Sequence, residues 1–305
     1  MSKYKTTGRL YLRREPVITD NNKITVMPLD TIVEAIGDDI STEWRRVTTV
    51  LGNEQISGFC STKYLTETDE PLPLITAQPD IPEAHLMTRK AVTRNGKDWA
   101  YPLSEPGFSR IDLNSLPAVG DKIQAIYSVL DFLNVEKSAR YAPNSKSTYC
   151  NIYAYDITYC LNKYVPRVWW YQRSLDAIAA GANVKPAYGK TVFELNANAI
   201  TDWFEDFGAV FRWKRLWNLE DLQGEVNMGK IGIIVAQRIN LNSPGHIVAV
   251  IPENTDHKAN RSATGEITAP LQSQAGATNR RIFSGARWWD NPKKFGKFGF
   301  WVAEE

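Results

Sequence analysis

The chain has 305 residues, enough for two domains or for one large domain with a small appendage. It is 43% hydrophobic and 23% charged, the balance of an ordinary globular protein. The formal net charge is only +2, and basic pairs such as Arg13-Arg14 and Lys293-Lys294 alternate with acids, which excludes a phosphate-binding stripe and makes nucleic acid an unexpected partner.

Three cysteines, Cys60, Cys150 and Cys160, are too few and too odd in number for a disulfide framework. No apolar run approaches the roughly 20 residues of a membrane span. Residues 1–10 are polar and basic, so no secretory signal is expected and the product is read as made in the cytoplasm. A substrate outside would then require a contractile secretion apparatus, phage lysis or a lost leader. Ten Trp, 13 Tyr and 11 Phe mainly fill cores, although exposed ones stack on sugars.

The first 65 or so residues read as short strands between turns: Leu10 to Arg13, Ile24 to Val26, Thr31 to Ile36, Trp44 to Val50, and Ser57 to Cys60. A small twisted barrel is the expected closure, because it leaves few open edges. Leu10 to Arg13, Trp44 to Val47, and Gly58-Phe59-Cys60-Ser61-Thr62-Lys63-Tyr64-Leu65 together resemble a bacterial SH3-type domain over residues 1–66. Phe59 replaces the usual Trp of that pattern, and Cys60 the usual Val.

Residues 67–116 are expected to be a linker and a segment of loops with one or two strands. Pro71, Pro73, Pro79 and Pro82 suit an extended chain over its first part.

From Val119 the apolar period becomes helical, through Ile123, Ile126, Tyr127, Val129, Leu130 and Leu133. A polar loop over residues 134–149 leads to a second helix from about Cys150 to Asn162, halted before Pro166. A third helix covers about Asn198 to Phe207. Lys230 to Gln237 and His246 to Ile251 read as neighbouring strands joined by Asn242-Ser243-Pro244-Gly245. Ile267 to Gln274 and Gly299 to Val302 are further strands. Helices followed by an antiparallel sheet make residues 117–305 an α+β domain.

Cys150 falls where a polar loop enters a helix. Free backbone N–H groups and the positive end of the helix dipole favour a thiolate there. His246 opens a buried strand, on the face of Val248 and Val250, where a rigid element can orient a base toward the thiol. His85 and His257 lie in polar, loop-like sequence. A third group should accept the other imidazole N–H. Gln274 is the first choice for it and Gln272, on the same expected face, the second.

These residues resemble the NlpC/CHAP branch of papain-like cysteine hydrolases. The carriers are Arg140-Tyr141-Ala142-Pro143, Thr148-Tyr149-Cys150-Asn151-Ile152-Tyr153 with Asp156, and Glu194-Leu195-Asn196-Ala197-Asn198. They continue in Gly245-His246-Ile247 and Gln274-Ala275-Gly276-Ala277-Thr278-Asn279. The resemblance covers about half the chain. It implies hydrolysis of a peptide or amide bond in bacterial peptidoglycan, with no metal or organic cofactor. It makes Cys150 the nucleophile, His246 the base and Gln274 the orienting residue, with the Cys150 backbone N–H in an oxyanion hole.

Tyr149 is placed to line the cleft or to pack. Trp169 and Trp170, with Tyr171, are candidates for a glycan shelf or for packing, as are Trp288 and Trp289. Asp156 and Asn151 are expected on the helix surface or tethering a loop, and Cys160 in the core. A non-catalytic wall-binding protein remains a competing reading. A transglutaminase-type acyl transferase ranks lower, because no Asp occurs between Ile267 and Gln274. This reading admits an immunity or delivery partner.

Overall fold

The computed structural model of the chain describes residues 2–19, 22–37, 41–51, 54–74, 80–86, 109–145, 147–285 and 287–304. They contain both strands and helices and fall into two compact units, Met1–Gln78 and Pro79–Glu305. Among the described residues, no helix is long and apolar enough to cross a membrane.

The first unit holds β1 (Lys3–Thr6), β2 (Leu10–Arg13), β3 (Lys23–Met27), β4 (Ile32–Ala35), β5 (Trp44–Leu51), β6 (Glu54–Ser61) and β7 (Leu65–Glu67). They pair antiparallel in the order β3-β2-β6-β5-β4-β1-β7. The order is open, with β3 and β7 at its ends, so the ladders do not close into the expected barrel. The join between β2 and β6 is a single pair, Arg13↔Phe59. A side chain at Gly58 would collide with the Arg13 carbonyl, which explains the glycine where the strands meet. Leu12, Met27, Val33, Val47 and Cys60 are fully buried in one core with Tyr4. That core draws on strands from both halves of the sheet, which therefore curls around it.

The second unit begins earlier than the sequence suggests. Ala84, Leu86 and Leu113 are buried in its main core, the Ala84 N–H donates to the Tyr164 hydroxyl at 2.9 Å, and Trp170 Nε1 donates to the Pro82 carbonyl at 2.9 Å. Residues 80–86 and 109–116 are thus part of this unit rather than linker. Residues 75–79 and 87–108 of the expected linker segment lie outside the described residues.

Its helices are α1 (Val119–Leu133), α2 (Cys150–Cys160), α3 (Gln172–Ala179), α4 (Ala197–Phe207) and α5 (Leu219–Asn227). Strands β8 (Val168–Trp170) and β9 (Val192–Glu194) form a short ribbon. The main sheet combines β10 (Trp213–Leu216), β11 (Gly232–Arg238), β12 (His246–Val250), β15 (Leu271–Gln274), β16 (Arg280–Ser284) and β17 (Phe295–Ala303). It is antiparallel, in the order β10-β17-β11-β12-β15-β16.

Both faces of the sheet are covered, which is why β11 and β12 read as continuous apolar runs. Ile233, Val235, Ile247 and Ala249 point into the core containing Ile126, Leu130, Ile157 and Ile200 of α1, α2 and α4. Ile234, Ala236, Val248 and Val250 point the other way, onto Leu219, Leu222 and Val226 of α5 and onto Trp289.

The expected strand Ile267 to Gln274 is divided. Pro270 offers no N–H to a ladder, and the chain changes sheets there. Strand β14 (Ile267–Ala269) pairs with β13 (Asn260–Arg261), whereas β15 joins β12.

Candidate active site

Cys150 is the first residue of α2. Tyr149 supplies no side-chain cap, so the first-turn N–H groups remain directed at the sulfur's surroundings. Burial pushes the Cys150 thiol up, but the hydrogen bond and charge of His246 and the N–H groups of Ile247 and Asn151 outweigh it. The thiol is held below the ordinary range. For His246, burial presses the imidazole down, while its bond and charge with Cys150, followed by its bond to Gln274, raise it. Both shifts favour thiolate and imidazolium over the neutral pair. Cys60 provides the contrast: burial pushes it up to about 12.

The tautomer follows from the amide. Gln274 Nε2 donates to the Thr278 carbonyl at 3.1 Å. A carbonyl only accepts, so that contact fixes which end of the amide is nitrogen. Gln274 Oε1 then faces His246 Nε2 at 2.9 Å and must accept its proton. Nδ1 is the ring nitrogen left for the sulfur.

The backbone that carries these groups is itself tied together. Tyr153, one turn beyond Cys150, bonds the Ser273 hydroxyl at 2.7 Å, pinning the head of α2 to β15 beside Gln274. Asn279 donates to the carbonyls of Val135 and Tyr141 at 3.0 and 2.9 Å and accepts from the Gly276 N–H at 3.1 Å. It thereby joins the loop before Cys150 to the turn after Gln274.

Arg140 forks onto buried Asp156 at 2.6 and 3.1 Å, and Tyr141 OH adds a bond at 2.8 Å. Asp156 is therefore an internal anchor of that loop and not a helix-surface residue. Asn151 tethers α2 to the Leu195 carbonyl at 3.0 Å.

On the histidine side, Asn198 near the head of α4 uses its whole amide on the turn between β11 and β12. It donates to the Leu241 and Ser243 carbonyls at 3.2 and 2.9 Å and accepts from the Arg238 N–H at 2.9 Å. A Cβ on Gly245 would stand 2.5 Å from Asn198 Oδ1 and 2.6 Å from the Ala236 carbonyl, so only glycine fits immediately before His246.

Trp288 covers the imidazole edge-on, ring centroids 4.6 Å apart, and its Nε1 donates to Gln272 Oε1 at 3.0 Å. Gln272, the alternative third residue, is fully buried and serves Trp288 instead of His246. A β-bulge between Gln272 and Gln274 separates their roles.

Trp169 and Trp170 are not a glycan shelf. They are 5% and 2% exposed; Trp169 packs among Tyr164, Trp203, Phe207 and Phe211. A ring with no open face cannot stack on a sugar. Tyr149 is partly exposed beside Cys150, its hydroxyl accepting from Asn144 Nδ2 at 2.9 Å. Cys160 is in the core. His85 bonds Glu83 and Tyr155, and His257 bonds Asn254, so neither belongs to this site.

Among the described residues, no cluster of His, Cys, Asp and Glu has the make-up of a metal site. The sequence matches no protein-family model and no curated protein. Sequence reasoning missed Asn198, Asn279 and Trp288 as positioning groups, although the first two lay inside motifs it quoted. Taken together, a polarised thiol, a tautomer-fixed imidazole and a helix head without a side-chain cap are what nucleophilic attack on a carbonyl requires.

Proposed function

We propose that this chain is a cysteine hydrolase that cleaves a peptide or amide bond in the stem peptide of bacterial peptidoglycan. The observation that carries the reading is the 2.9 Å bond from His246 Nε2 to Gln274 Oε1, which assigns the Nε2 proton, with Cys150 near enough to His246 for each to move the other's ionisation toward the ion pair. A Cys at a helix head, a His opening one strand and a Gln closing the next support an NlpC/CHAP-like, papain-type domain. The curled sheet of the first unit, with Gly58 to Leu65 at its end, supports an SH3-type wall-binding module. The site of action on this reading is the cell wall, outside the compartment of synthesis.

The Cys150 thiolate attacks the scissile carbonyl and forms the C–S bond. The negative oxygen is received by backbone N–H groups at the head of α2. His246 passes its Nδ1 proton to the departing amine as the C–N bond breaks, leaving a thioester and neutral imidazole. Water then attacks the thioester carbon as His246 takes its proton, the C–S bond breaks with its electron pair returning to sulfur, and the acid leaves the thiolate–imidazolium pair restored.

Mass spectrometry of purified muropeptides after digestion tests the reading. New termini within the stem peptide, absent with Cys150→Ala, are expected from endopeptidase action, and a lactyl–Ala cut from amidase action. Muropeptides left intact by the wild-type chain across several peptidoglycan types would refute it.

A further inference from the structure

Arg238 ends β11 two residues beyond Ala236, the partner of His246 in the β11–β12 ladder. Its Nε donates to the Pro244 carbonyl at 3.0 Å and its guanidinium lies 4.6 Å over the Phe295 ring. Phe295 meets Trp288 at 5.4 Å, and Trp288 meets His246 at 4.6 Å. A continuous wall therefore runs from guanidinium to imidazole, and all four side chains along it remain partly exposed.

Arg140, Arg167, Arg215 and Arg261 in this unit each pair with a carboxylate. Arg238 is oriented by a carbonyl and a ring, yet its one side-chain hydrogen bond goes to Pro244 and no carboxylate of the described residues pairs with it. Its charge also presses the His246 imidazole down, against the ion pair. An oriented cation that opposes the resting site electrostatically is relieved by an incoming anion. Carboxylate is the anion that a peptide offers, and a guanidinium binds it through two parallel N–H groups.

We propose that Arg238 forms a carboxylate-binding subsite beside the Cys150–His246 pair, and that the peptide cleaved there carries a free carboxylate; the peptide part rests on the hydrolase reading above. The exposed Ile239 and Leu241 on the adjoining turn give the same peptide an apolar neighbour.

The test uses the full chain and two alkylating reagents of similar size, anionic iodoacetate and neutral iodoacetamide, with modification at Cys150 followed by mass spectrometry. The imidazolium favours the anion in every variant, so the change between variants isolates Arg238. The iodoacetate-to-iodoacetamide rate ratio should fall about threefold to tenfold in Arg238→Gln and be largely kept in Arg238→Lys. An unchanged ratio in Arg238→Gln overturns the subsite.

A second arm compares a stem peptide with its carboxyl-amidated form. Wild-type preference for the free acid in kcat/KM should drop about tenfold in Arg238→Gln, whereas equal losses on both peptides overturn the proposal. If the wild type cleaves neither peptide, the hydrolase reading fails alone, and the alkylation ratio still decides the subsite.

Discussion

Replacing Gln274 with Leu removes the acceptor for His246 Nε2–H while leaving the thiol and imidazole in place. The lost bond is 2.9 Å long and, on the ion-pair reading, supports a charged imidazolium. Bonds to charged groups contribute about 1.5–3 kcal/mol, and each 1.36 kcal/mol is about tenfold in rate. The expected fall in kcat/KM is therefore about 10-fold to 150-fold.

The sign of the pH effect follows from the same bond. With less support for the imidazolium, the His246 pKa falls, and the thiolate loses part of its partner's charge, so the Cys150 pKa rises. The two limbs of the activity profile move toward each other. The assay is iodoacetamide alkylation of Cys150 from about pH 4 to about pH 10, run beside hydrolysis. Gln274→Glu keeps an acceptor and adds charge, so its alkaline limb should move upward. A Gln274→Leu profile that overlays the wild type, with full activity, would refute the orienting role.

Three further outcomes concern the scaffold. Arg140→Met leaves Asp156 buried without its cation and should cost about 3–5 kcal/mol in urea unfolding, more than Arg140→Met combined with Asp156→Leu; a single-variant loss below about 1 kcal/mol contradicts the buried anchor. Gly245→Ala forces a methyl against Asn198 and the Ala236 carbonyl, and about 1–3 kcal/mol of strain should appear together with a large loss of activity; unaltered kinetics would count against the tight turn. The Glu253 carboxyl is held at about 2, below its ordinary 4.5, chiefly by Arg261 and also by Asn227 and the Ala259 N–H. Its contribution is fully present above pH 4.5 and lost as pH falls toward about 2. Allowing for the exposure of Arg261, it amounts to about 1–2 kcal/mol, so the acid limb of the stability curve should flatten in Glu253→Gln.

Cys150 and His246 were legible because each stands at a boundary that local patterning marks, a loop entering a helix and a turn entering an apolar strand. Gln274 was legible mainly through motif order. Period alone gave Gln272 equal standing, and the bulge that separates the two glutamines has no local signal. Pro270 was a readable breaker that the uninterrupted strand overlooked. The start of α5 was also readable: Asn218 caps it, with Glu220 and Asp221 in the first turn.

Other features depend on distant partners. An aromatic pair such as Trp169-Trp170 carries the same local pattern whether it lines a groove or fills a core. The Arg140–Asp156 pair and the asparagine clasps at Asn198 and Asn279 join segments that only the tertiary fold brings together.

The thiolate itself absorbs in the ultraviolet near about 240 nm, and the difference between wild type and Cys150→Ala isolates it during a pH titration. A thiolate signal that persists well below the ordinary thiol pKa of about 8.5, and is abolished by His246→Ala, is the predicted result. A signal that develops only as an ordinary thiol would, unaffected by loss of the imidazole, contradicts the ion pair and the chemistry built on it.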